Sequence, residues 1–163
     1  MLFNANIIDV DTGEIKVSSD PVTLQAIALG SCVALTVYVR NLKIGGLAHI
    51  MLPGKSHLSN NNTKYANDAI KALLDSVRIL GADISNLEIS MIGGANVLQD
   101  GDVPDKVIES VLGYLKKSHL KLNGMRVGGI ERRSAYLDTT SGEVFYTEGD
   151  NTTKTLLTKI ERI

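Results

Sequence analysis

The sequence predicts an α+β fold, and three observations carry that expectation. Only two stretches show the three- and four-residue apolar spacing of an amphipathic helix. Ten short stretches, many rich in Val, Ile, Thr and Tyr and bounded by Gly, Asn or Asp, read as strands. The strands do not alternate one by one with helices, as a doubly wound sheet would require, so layered β-sheets with two main flanking helices are expected.

Along the chain, strands are expected over residues 3–9, 14–17, 23–28, 32–40 and 43–51. A polar, turn-forming segment, Pro53 to Asn62 (PGKSHLSNNN), then reads as an exposed loop. The first helix is placed at 63–80, because Ala66, Ala69, Ile70, Leu73, Leu74, Val77 and Leu80 share one face and Gly81 follows where a helix ends. A strand at 86–91 precedes the second helix, placed at 104–118. There Pro104 suits a first turn, Val107, Ile108, Val111, Leu112 and Leu115 form a face, and Lys116, Lys117 and His119 favour the carboxyl end of the dipole. Strands at 121–127, 134–138, 143–147 and 154–159 complete the chain. The pairs Gly93-Gly94 and Gly128-Gly129 lack the strand-loop-helix context of a phosphate loop and read as points of close backbone approach or positive φ.

At 163 residues the chain is expected to form one domain, residues 1–163, large enough to bury a core without staples. Seventeen Lys and Arg against 18 Asp and Glu give a net charge of −1, with no long run of either sign, so bulk electrostatics do not favour a nucleic-acid or membrane surface. A single cysteine excludes an internal disulfide and fits a reducing compartment. Asp9, Asp11 and Glu14 lie where a signal peptide would be basic and then apolar, so a cytoplasmic location is expected. Three widely spaced histidines and one cysteine have no ligand spacing, so neither a metal nor another cofactor is expected. His57 and His119 read as loop and helix-end residues without a role.

The chemistry concentrates in Leu29-Gly30-Ser31-Cys32-Val33 and Ala48-His49-Ile50-Met51-Leu52-Pro53. Two apolar strands flank a polar turn at Arg40-Asn41, which predicts a β-hairpin. A turn centred between residues 40 and 41 sets Cys32 directly opposite His49, with Cβ atoms ~5 Å apart. An imidazole so placed lowers a thiol pKa, returns a proton to a leaving nitrogen and activates water against a thioester. Gly30 and Ser31 permit a tight turn that aims backbone N–H groups at an oxyanion. Against this, a free cysteine at the start of an apolar strand is commonly an inert core residue, and a lone strand histidine a satisfied interior polar group. Arg132 and Arg133, beside Gly128-Gly129, read either as solvated surface charge or as an acceptor-binding edge. Cys and His alone leave amidase, protease and transglutaminase chemistry open.

In order, LGSCVAL, IGGLAHIMLP, MIGGANV and VGGIERRSAYLDTTSGEV resemble the motifs of the CheD family of chemoreceptor glutamine deamidases, over most of the chain. The resemblance implies an α+β fold related to bacterial cysteine deamidase toxin catalytic domains, with Cys32 as nucleophile and His49 as general base. It also implies hydrolysis of selected glutamine side chains to glutamate on methyl-accepting chemotaxis receptors, releasing ammonia without a cofactor. The implied partner is a CheC-type phosphatase docking on the surface that meets the receptor helix. The family has a threonine six residues before the cysteine, where this chain has Ala26. Thr23 or Gln25 could take its place only if the strand is displaced, whereas the backbone carbonyl of Ala26 could still accept a hydrogen bond from the imidazole and is the support expected here. The alternative is a non-catalytic adaptor that retains the receptor- or CheC-binding surface.

Overall fold

A computed structural model describes residues 6–57 and 62–163. Its strands are β1 (Ile7–Asp9), β2 (Ile15–Ser18), β3 (Thr23–Leu29), β4 (Val33–Val39), β5 (Ile44–Ile50), β6 (Glu88–Gly93), β7 (Leu122–Val127), β8 (Arg133–Asp138), β9 (Val144–Glu148), β10 (Thr155–Leu156) and β11 (Ile160–Arg162). The helices are α1 (Ala66–Ile79) and α2 (Val103–Lys117). The strands form a five-stranded sheet, β1-β3-β8-β9-β10, and a six-stranded sheet, β11-β7-β6-β4-β5-β2. Both are mixed: β1 runs parallel to β3, and β6, β7 and β11 run parallel to one another, while the remaining pairs are antiparallel.

The central strand β4 explains how the layers stack. All seven of its residues are buried. Val33, Leu35, Val37 and Val39 pack with the apolar faces of α1 and α2, whereas Ala34 and Tyr38 pack with residues of the five-stranded sheet. Successive side chains of a strand point to opposite faces, so this apolar run belongs to a middle layer covered on both sides. The order is five-stranded sheet, six-stranded sheet, helices. Close packing of this middle layer depends on Gly46, where a methyl group would sit 2.8 Å from Leu73 Cδ1 of α1 and 2.9 Å from Val17 Cγ1 of β2. A side chain there would push the helix off the sheet.

The expected layered α+β architecture is thus the observed one, with α1 and α2 presenting the faces read from their spacing except at Leu80, which caps α1 and is 42% exposed because it lies past the last turn that packs on the sheet. Helix α1 begins later than residue 63 because the Lys64 carbonyl accepts the N–H groups of Met51 and Leu52 and is committed to the end of β5. The strand expected at 154–159 is reduced to the two residues of β10 in the five-stranded sheet, and β11, just beyond it, joins the other sheet without having been expected. Residues 3–5 of the first expected strand, and 58–61 of the expected loop, lie outside the described residues. Among the described residues no helix is long and apolar enough to cross a membrane.

Candidate active site

The β4–β5 hairpin forms, but its register differs from the expected one by two residues. Its loop comprises residues 40–43, with Lys43 in the left-handed region at φ 52°, and Val39 pairs with Ile44. Ala34, not Cys32, therefore lies opposite His49. A slip of one residue would have put thiol and imidazole on opposite faces, but a slip of two keeps them on the same one. Cys32 packs against the cluster between the two sheets that contains Ala34, and His49 reaches the same layer through Val10. Counted two residues back from Ala34, Cys32 takes the position diagonal to His49, where neighbours lie about 7–8 Å apart and their Cβ atoms somewhat closer, within reach of an aromatic ring.

His49 is 5% exposed, and its Nδ1 lies 2.9 Å from the Val10 carbonyl oxygen. A carbonyl only accepts, so Nδ1 carries the proton and donates. The other nitrogen, Nε2, then holds its lone pair and is the basic atom. The orienting acceptor is thus Val10, between β1 and β2, and not the expected carbonyl of Ala26. That residue is wholly buried in β3, opposite Ala135 of β8. The loop after β1 is held in turn: Val10 donates its N–H to the Gln25 carbonyl, and Gly13 donates to the His49 carbonyl.

Cys32 follows Gly30 and Ser31 in the bend between β3 and β4. The N–H of Gly94 donates to the Cys32 carbonyl at 2.8 Å, and that of Ala95 donates to the Gly30 carbonyl at 2.8 Å. Among the described residues no acceptor is found for the Cys32 N–H, which is the kind of donor an oxyanion recruits. The approach of these backbones requires Gly93, at φ 119°, because a methyl group there would run into the Cys32 carbonyl oxygen. All four residues of Gly93-Gly94 and Gly128-Gly129 have positive φ, as their sequence context suggested.

Burial pushes the Cys32 thiol up from its ordinary value. Burial thus favours the neutral thiol over the thiolate expected from an opposed imidazole. The rate of Cys32 alkylation by iodoacetamide is expected to climb with pH along a curve displaced above that of free cysteine. A midpoint at or below the ordinary thiol value would reverse that sign and mean that the imidazole already holds the thiolate.

Beside Gly30 and Ser31 opens a cavity of about 390 Å³ whose wall is mainly apolar, including Ala95, Val97, Leu98 and Val103. Asn96 braces its rim, with Nδ2 donating to the Gly101 carbonyl and Oδ1 accepting from the Asp100 N–H. Leu98, on the same rim, is 88% exposed. Neither reading of Arg133 survives: the residue is 2% exposed and bound to Glu148 and to two glycine carbonyls, so it is neither surface charge nor an acceptor-binding edge. Arg132 is exposed and faces Asp150 at 3.6 Å. His119 does stand at the helix end, following α2.

Comparison with known proteins adds an independent line. The family model described as CheD chemotactic sensory transduction matches residues 51–148, a span that begins after both Cys32 and His49. Longer matches join that span to the hairpin. A probable chemoreceptor glutamine deamidase CheD of Chlorobium luteolum is 35% identical over 144 residues, covering 86% of this chain and 72% of its own. One of Methanococcus maripaludis is 36% identical over 148 residues, covering 88% and 96%. The chemoreceptor glutamine deamidase CheD of Thermotoga maritima is 30% identical over 137 residues, covering 83% and 87%. On the family model and these relatives together, the chain belongs to the CheD family.

Proposed function

We propose that this protein is a protein-glutamine deamidase of chemoreceptors, with Cys32 as nucleophile and His49 as base. The observation that carries the reading is the imidazole itself: buried on the face shared with Cys32 and fixed by the Val10 carbonyl as the tautomer whose Nε2 accepts a proton. The names of the relatives support the substrate class. In this mechanism His49 Nε2 takes the thiol proton as Sγ attacks the side-chain carbonyl carbon of glutamine, and the carbon–sulfur bond forms. The N–H groups around Gly30, Ser31 and Cys32 receive the oxyanion. The imidazolium returns its proton to the leaving nitrogen, the carbon–nitrogen bond breaks and ammonia departs. Water, deprotonated by His49, then cleaves the thioester to give glutamate and the thiol.

The apolar rim around Leu98 gives a receptor helix a place to rest beside the nucleophile, and a CheC-type phosphatase competing for that rim belongs to the same proposal. The direct test is incubation of the purified protein with the cytoplasmic fragment of a cognate chemoreceptor, followed by peptide mass analysis. Conversion of specific glutamines to glutamate with matching ammonia release is expected. Binding without conversion would favour the non-catalytic adaptor.

A further inference from the structure

Arg133 is a buried cation that the deamidase mechanism does not use. Its side chain is 1% exposed at the start of β8. Charge is kept in such a place only where pairing and hydrogen bonding offset the loss of water. Nε donates to Glu148 Oε2 at 3.2 Å. Nη1 donates to two carbonyls, Gly128 at 2.8 Å and Gly93 at 3.2 Å. Glu148 is itself gripped by Arg126, through Nε at 2.9 Å and Nη2 at 2.8 Å. That hydrogen bonding, with a smaller contribution from Arg133, holds the Glu148 carboxyl below its usual value, so the network keeps an ionised partner for the guanidinium.

The two carbonyls belong to the glycine turns nearest the nucleophile. The peptide whose carbonyl (Gly93) meets Arg133 is the one whose N–H (Gly94) donates to the Cys32 carbonyl. Gly128 N–H also donates to the Gly93 carbonyl, and the Gly129 carbonyl accepts the N–H of Asn96, which braces the rim. Through the main chain, Arg133 pairs with Leu29, just before Gly30-Ser31-Cys32. One residue thus holds the nucleophile's turn from both sides: by its backbone through β3, and by its side chain through the Gly93-Gly94 peptide.

We infer that Arg133 is a positioning residue of the deamidase, clamping the Gly93 and Gly128 turns and so fixing the direction of the Cys32 backbone and thiol. The inference rests on the deamidase reading. Small displacements of a reacting group are costly, and loss of the clamp is expected to lower kcat by roughly 10- to 100-fold with KM for the receptor fragment nearly unchanged. The rim around Leu98, which would set KM, keeps its own brace at Asn96.

The test compares Arg133→Met, Arg133→Lys and Arg126→Met. Arg126 contacts Glu148 and Glu161 and neither glycine carbonyl, so its loss weakens the same ion network without touching the turns. Arg126→Met is expected to retain kcat within about twofold, whereas Arg133→Met loses it. Arg133→Lys is expected to recover part of the loss, since an ammonium can serve a carbonyl but not the full fork. Equal losses in Arg133→Met and Arg126→Met, or a loss matching only the fall in folded fraction by circular dichroism, would overturn the inference in favour of a purely structural network. Should Arg133→Met not fold, Arg133→Lys decides: wild-type kcat in that variant rejects the clamp. Alkylation of Cys32 separates the two readings, because it needs no receptor. Folded Arg133 variants are expected to alkylate along a pH curve moved toward that of free cysteine, as the loosened turn exposes the thiol. An unmoved curve counts against the clamp whether or not the wild type deamidates a receptor.

Discussion

Replacing Cys32 by alanine is expected to reduce glutamine deamidation by at least about 10⁴-fold, because the covalent route is lost and the remaining groups offer only oxyanion stabilisation and binding. Stability should barely move. Cys32 sits at the margin of the cluster between the sheets and behaves there as a small apolar group, so removal of one sulfur should cost roughly 1 kcal/mol or less. Receptor binding should also persist, since the apolar rim of Val97, Leu98 and Val103 stays intact. The measurements are ammonia release, urea unfolding and binding of the receptor fragment, all on one preparation. Activity unchanged in this variant would remove Cys32 from the chemistry altogether.

His49 is expected to separate two roles that one side chain combines. His49→Ala removes the base, lowering kcat by about 10³-fold or more, and also strips the buried Val10 carbonyl of its donor. An acceptor left unpaired in the interior costs about 1–3 kcal/mol, so the urea midpoint should fall. His49→Asn places an amide N–H near the position of Nδ1 and supplies no base. It is expected to regain much of the lost stability and none of the lost rate. If Asn and Ala were equally unstable, the Val10 hydrogen bond would not be what holds the ring. If Asn restored turnover, proton transfer by the imidazole would be excluded.

Much of this could be read along the chain. Periodicity located α1 and α2 because a helix facing a sheet must repeat its apolar residues every three or four positions, and the buried face of each helix matches apart from exposed Leu80 at the end of α1. The hairpin and the shared face of Cys32 and His49 were also legible, since strand alternation survives any even change of register. The actual register was not. It depends on whether the loop closes around residues 40–41 or, as it does, across 40–43 with Lys43 in a left-handed conformation that nothing in its side chain advertises. Strand β11 was missed because it is exposed throughout and so lacks an apolar pattern.

The sequence by itself determined the layered α+β class, the two helical faces and the residue types able to perform acyl transfer, for these follow from local spacing and side-chain chemistry. Tertiary structure alone decided which backbone atom orients His49, and that Arg133 is buried beneath the glycine turns. The Val10 carbonyl is a main-chain group present at every residue, so no motif marks it. Nor does anything in GIERR distinguish Arg132, out in solvent beside Asp150, from Arg133, sealed against Glu148. Strand alternation gives neighbours different faces, but only the packing of the second sheet settles which of the two faces is dry.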